Sequence, residues 1–199
     1  MKLGITHELG HAMATLYYGS QPGAVGGLMP NLDANLDVTN EIASCNFSTE
    51  GYSFDSKEWN SVGYSEGFAN FIAAKIWNNK NQLGALNLFT AKHDLEAFDK
   101  ANTPGGRLVN KCVGSLTGKS TNGDWTRFLW DFYTNSSSIC NAQPSKLDML
   151  QLYSKTRLLV PSKGGFYNAM RSIVDEIGLP SCLAGARFDF YAAHNGINL

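Results

Sequence analysis

His7-Glu8-Leu9-Gly10-His11 and, further along, Tyr64-Ser65-Glu66-Gly67-Phe68-Ala69-Asn70-Phe71 are the two stretches whose reading decides the fold. The first matches H-E-x-x-H. Residues four apart in a helix lie on one face, one turn above the other. Two imidazoles so placed can reach one zinc ion, which binds histidine nitrogen at about 2.0–2.1 Å. Glu8 is rotated about 100° from His7 at 3.6 residues per turn. Its carboxylate therefore belongs beside the metal, next to a water whose pKa zinc lowers to about 7, where it can serve as general base. Such a motif also arises by chance on exposed helices. Here, however, two of the chain's four histidines fall inside it.

A catalytic zinc needs a third protein ligand and an open position. The pattern H-E-x-x-H-x-x-G-x-x-H is excluded, because Ala14 and Tyr17 stand where Gly and His are required. Glu66 supplies the alternative, on a second predicted helix. Gly67 beside it lets two helices approach closely. Asn70 lies one turn beyond Glu66 and can hydrogen-bond the far nitrogen of a ligand histidine, which sets its tautomer and orientation.

His7-Glu8-x-x-His11 followed by helical Glu66-Gly67-x-x-Asn70 resembles the gluzincin metallopeptidases and is most similar to their thermolysin-like and fungalysin-like branches. Trp125-Thr126-Arg127-Phe128-Leu129-Trp130-Asp131 also resembles a fungalysin-like helical stretch. The resemblance implies a zinc-dependent endopeptidase with zinc on His7, His11 and Glu66, Glu8 as general base, and a peptide or protein substrate. It departs from the family in three places. Asn70 stands where the family has aspartate, so the histidine gains less basicity. No histidine occupies Lys119-Ser120-Thr121, where the family's oxyanion-stabilising residue is expected. His93 and His194 match no motif, which leaves Tyr52 or Tyr64 for that role. Finally, zincins place a sheet before the zinc helix, whereas Met1 lies only a few residues before His7; the expectation is an N-terminally truncated catalytic domain.

The fold class expected is mainly α, an α+β zincin-like arrangement with little sheet. A zinc helix over 3–19 carries Leu3, Leu9, Ala12, Met13 and Leu16 as its apolar positions, and Gly19 closes it. Residues 20–57 read as loops with a short strand pair. A glutamate helix covers 59–78, one or two helices fill 82–100, and Thr103-Pro104-Gly105-Gly106 breaks them. Trp125, Phe128, Leu129, Phe132 and Tyr133 form a buried stripe at i, i+3, i+4, i+7 and i+8. Further helices cover 145–159, opening with a Ser145/Asp148 capping box, then 163–178, stopped at Gly178-Leu179-Pro180, and 182–194, with a left-handed stop at Asn195-Gly196. One domain of 1–199 is expected, with zinc-site helices in 1–80 and a helical lobe in 81–199.

Hydrophobic residues make up 43% and charged residues 17% of the 199, with a formal net charge of -1. That is a globular balance without a basic face for nucleic acid, and no apolar run approaches the roughly 18 residues of a membrane span. Cys45, Cys112, Cys140 and Cys182 form no C-x-x-C pair. Two disulfides in a secreted or periplasmic protein fit them, and so do four buried thiols; Cys112 with Cys140 is the favoured pairing. Asn46-Phe47-Ser48 and Asn135-Ser136-Ser137 match the glycosylation triplet, a common chance pattern. Asn31, Asp33, Asn35 and Asp37 offer oxygens at a spacing calcium could use, but Val38 and Ser44 rule out an EF-hand loop and a solvated turn is the plainer reading.

Two other functions compete. Gly63-Tyr64-Ser65-Glu66-Gly67 matches G-x-S-x-G, which would make Ser65 a serine-hydrolase nucleophile. That needs an apolar strand just before the turn, and Ser56-Lys57-Glu58-Trp59-Asn60-Ser61 does not supply one. The chain could also be a non-catalytic zinc-binding or structural module that keeps the zinc helices without a working cleft.

Overall fold

The computed structural model describes residues 2–19, 57–77, 119–134, 142–159, 166–195 and 197. Six helices and two short strands follow in order: α1 (Lys2–Gly19), β1 (Lys57–Trp59), α2 (Asn60–Trp77), β2 (Lys119–Thr121), α3 (Asn122–Thr134), α4 (Lys146–Leu159), α5 (Phe166–Glu176) and α6 (Ala186–His194). The fold is mainly helical, as expected. The strands pair antiparallel, with Lys57 opposite Thr121 and Trp59 opposite Lys119, and each runs directly into a helix. The expected helices over 82–100 and the strand pair within 20–57 fall outside the described residues, apart from Lys57.

α2 is the central helix, with α1 on one side and α3 on another. Its sequence explains why. Tyr64, Phe68, Ala69, Phe71, Ile72, Ala73 and Ala74 are all buried, so it is covered around most of its circumference. The α3 stripe is buried at every expected position, and Phe188 of α6 meets Phe128 and Phe132 edge-on at ring separations of 5.1 and 5.4 Å. Burying each such aromatic contributes about 1.5–3 kcal/mol relative to exposure. Ala14, Phe68, Phe128, Tyr153, Met170 and Phe188 place all six helices in one core. That core joins helices from both sides of the boundary expected near residue 80, which itself lies outside the described residues.

Two glycines set how closely the helices pack. A Cβ on Gly10 would lie 2.7 Å from the Ala69 Cα and 2.9 Å from the Ala69 carbonyl oxygen. A Cβ on Gly67 would lie 2.4 Å from the Trp125 Cβ and 3.0 Å from the Asn122 carbonyl oxygen. Gly10 therefore seats α1 on α2, and Gly67 seats α2 on α3. This corrects the expected face of α1. Leu9 and Leu16 are 46% and 76% exposed, and Ile5 is 68% exposed, whereas Thr6, Gly10 and Ala14 are buried. Close backbone approach selects the small residues for the interface and turns the leucines outward.

Helix ends follow local chemistry. Ser145 Oγ accepts from the Asp148 N–H at 3.1 Å while Asp148 Oδ2 accepts from the Ser145 N–H at 2.7 Å, a reciprocal cap with aspartate in the usual glutamate place. Gly178, at φ 71, marks the stop expected after α5. α6 begins at Ala186 rather than near residue 182, because Gly185 at φ 54 cannot be part of a right-handed helix. At its end Asn195 has φ -97 and is not left-handed. The Ile197 N–H returns to the Ala192 carbonyl at 2.9 Å, the six-to-one bond of a Schellman ending with Asn195 as its C-cap, in keeping with the expected stop at Asn195-Gly196; Gly196 itself lies outside the described residues.

Cys182 is exposed and disulfide-bonded; the favoured Cys112–Cys140 pairing lies outside the described residues. Among the described residues, no helix is long and apolar enough to cross a membrane.

Candidate metal centre

α1 and α2 cross at Gly10 and Ala69, and the residues flanking that contact face one another. His7 and His11 come from α1 and Glu66 from α2. His7 Nε2 lies 3.2 Å from Glu66 Oε2, His11 Nε2 lies 3.4 Å from Glu66 Oε1, and the two Nε2 atoms lie 3.1 Å apart. The imidazole rings stand nearly perpendicular, at 85°. Side-chain exposures of 18%, 27% and 22% for His7, His11 and Glu66 leave the cluster reachable from solvent while held by the core.

These three residues form a group that could hold a metal ion. Bonds of about 2.0–2.1 Å in a tetrahedral zinc site separate neighbouring ligand atoms by about 3.3–3.4 Å. The His7–His11 contact and the contacts from His7 to Glu66 Oε2 and from His11 to Glu66 Oε1, at 3.1–3.4 Å, are close to that separation, the two to Glu66 ending on different carboxylate oxygens. Two imidazoles with one carboxylate are also a donor set that catalytic zinc sites use. The residues therefore form a group that could bind a metal ion.

The orientation of His7 fits as well. Its Nδ1 lies 2.8 Å from Asn70 Oδ1. An amide oxygen only accepts, so Nδ1 carries a proton toward Asn70; in the neutral ring this leaves the Nε2 lone pair free for a metal ion, and in the protonated ring Nε2–H donates to Glu66. Asn70 is buried, and its Nδ2 donates to Asn122 Oδ1 at 2.7 Å. The Trp77 indole N–H donates to Thr6 Oγ1 at 3.1 Å, a second link between α1 and α2.

Electrostatics tie the cluster together. Burial opposes the charged form of His7, but hydrogen bonds to Glu66 and Asn70 and the charges of Glu66 and Glu8 outweigh it and raise its pKa. Burial likewise favours a protonated Glu66, yet hydrogen bonds from His11 and His7 and their charges hold its carboxyl at about 2. Glu66 thus remains an anion across the working pH range. Glu8 is exposed on α1, next to His7 in the chain and near enough for its charge to act on it.

Other expected residues sit elsewhere. Tyr64 is fully buried and stacks on Tyr153 at 5.1 Å, so its phenol is part of the core rather than of an oxyanion site. Ser65 lies inside α2, buried, with its Oγ 3.3 Å from the Tyr153 hydroxyl. That is a helix interior, not the strand-to-helix elbow a serine nucleophile needs. His194 is exposed at the end of α6 and stacks on Phe190. Tyr52, His93 and the Asn31, Asp33, Asn35 and Asp37 loop lie outside the described residues. Gly10 and Asn122 were not singled out by sequence. Gly10 occupies a variable place in the motif. Asn122 lies three residues before the predicted stripe and carries no motif.

Comparison with known protein families, curated proteins and solved structures found no match.

Proposed function

We propose that the chain is a zinc-dependent endopeptidase of the gluzincin type, acting on peptide or protein substrates. The observation that carries the reading is the donor triangle of His7, His11 and Glu66, brought together from two helices with an exposed Glu8 alongside. His7, His11 and Glu66 would hold the ion, with Asn70 keeping His7 in its metal-ready tautomer. When bound there, zinc supplies Lewis-acid polarisation of a carbonyl and a water of lowered pKa. Glu8 takes a proton from the attacking water and delivers it to the departing amine. The cluster is in part exposed to solvent. The disulfide at Cys182 agrees with a secreted or periplasmic setting.

The test joins zinc content to casein cleavage. Wild type and Glu8→Gln should both hold one zinc per chain, and only wild type should cleave. Equal cleavage by the two would refute the role of Glu8. One zinc in each with cleavage by neither would leave a zinc-binding module without peptidase activity.

A further inference from the structure

We propose that Asn122 is a positioning residue for the metal centre: its side-chain oxygen holds the Asn70 amide in the orientation that keeps His7 available as a ligand through Nε2. The inference rests on the metal reading above and adds a residue from a third helix to it.

An amide side chain has an accepting end and a donating end, and the two are interchanged by a half-turn. In the structure the accepting end of Asn70 meets His7 Nδ1 at 2.8 Å and the donating end meets Asn122 Oδ1 at 2.7 Å. A half-turn of Asn70 alone would present its NH2 to His7 Nδ1. The imidazole would then need its proton on Nε2, the atom that faces Glu66 and His11. The same half-turn would set Asn70 Oδ1 against Asn122 Oδ1, two acceptors in contact inside a buried site. Leaving such buried groups unpaired disfavours that arrangement. With its oxygen toward Asn70, as observed, Asn122 thus favours the Nδ1-protonated tautomer of His7 through Asn70.

The backbone of Asn122 is held in place. Its carbonyl accepts from Thr126 Oγ1 at 2.9 Å, and the same hydroxyl reaches the Gly67 carbonyl at 3.3 Å. The bare Gly67 lets this first turn of α3 rest against α2. Glu66, Asn70 and Asn122 are therefore registered by one contact. The aspartate found at the Asn70 position in the gluzincin pattern would accept only. An amide there needs a neighbour to choose its direction, and Asn122 is that neighbour.

The experiment measures zinc affinity by chelator competition and the His7 tautomer by 15N NMR of the metal-free protein at alkaline pH. Asn122→Ala should weaken zinc about tenfold, the lower end of what loss of a ligand-orienting partner costs, and should mix the His7 tautomers. Asn122→Asp, which can only accept, should match or exceed wild type and keep the proton on Nδ1. Asn70→Asp should also bind at least as tightly as wild type, with Asn122 turning to donate. The double variant Asn70→Asp with Asn122→Asp sets two carboxylates face to face and should bind more weakly than either single variant. Wild-type affinity with an unchanged tautomer in Asn122→Ala would overturn the proposal, as would a double variant as tight as Asn122→Asp. Where Asn122→Ala yields no folded protein, the aspartate variants decide. If wild type itself binds no zinc, the metal reading falls, while the tautomer comparison still tests Asn122.

Discussion

Gly10→Ala is the sharpest probe of how the two helices that carry His7, His11 and Glu66 are held together. By intrinsic propensity, alanine in a helix interior should add about 1 kcal/mol of stability over glycine. The structure reverses the sign. The added methyl would sit 2.7 Å from the Ala69 Cα and 2.9 Å from its carbonyl oxygen, where carbon contacts settle at about 3.5–4.0 Å. Both atoms are backbone, so no side chain can swing aside. α1 and α2 must separate by about 1 Å, and overpacking of that kind typically costs about 1–3 kcal/mol. Glu66 is on one helix and both histidines are on the other, so the 3.2 and 3.4 Å edges of the donor triangle would stretch. Metal sites tolerate roughly ±0.2 Å in ligand distance, and zinc affinity should fall by at least about tenfold. Gly4→Ala is the internal control, on the same helix with nothing within 4 Å of the new methyl; it should be neutral or stabilising by up to about 1 kcal/mol. Thermal melts of the metal-free proteins and zinc titrations read both effects. Should Gly10→Ala melt and bind zinc like wild type, the close seating of α1 on α2 is wrong.

Further outcomes follow from the same geometry. The raised pKa of His7 contributes stability that is complete below its ordinary 6.5 and is lost as pH rises through the raised value. Glu66, lowered from 4.5 to about 2, contributes stability that is complete above 4.5 and is lost as pH falls toward 2. The metal-free pair is therefore most stabilising between 4.5 and 6.5. Zinc requires neutral imidazoles, so its effect on the melting temperature should be small at the acid end of that window and grow toward alkaline pH, as melts with and without zinc would reveal. Ser145→Ala removes half of the reciprocal cap on α4 and should cost about 0.5–2 kcal/mol in denaturant unfolding, without changing zinc affinity. Ser65→Ala should leave peptide cleavage intact, because the hydroxyl is committed to Tyr153; loss of cleavage with zinc retained would revive the nucleophile reading.

Much of this architecture could be read from local pattern. The α3 stripe, the Ser145 cap and the stop at Gly178 are written over a few consecutive residues, where helical spacing and turn chemistry act directly. His7, His11 and Glu66 were legible for a different reason: metal coordination restricts residue type and spacing so strongly that few alternatives remain. What stayed hidden depends on distant partners. The buried face of α1 could not be told from its leucines, because the opposing backbone at Ala69 decides it. The Lys119–Thr121 strand is too short to show a period. Asn122 is 52 residues from Asn70 and carries no motif.

The ladder between Lys57–Trp59 and Lys119–Thr121 has a consequence for the order in which the protein assembles. It launches α2 and α3 from one point and closes a long stretch of chain to do so. The contacts that complete the metal centre are equally remote, 63 residues apart for His7 with Asn70 and 52 for Asn70 with Asn122. Loop-closure entropy must be met before such contacts are rewarded, and chains that depend on them fold slowly. Individual helices can flicker early, but the three donors converge only once α1 and α2 have docked. Metal supplied during refolding would then trap finished molecules, speeding the approach to a stable end state without accelerating the first helical events.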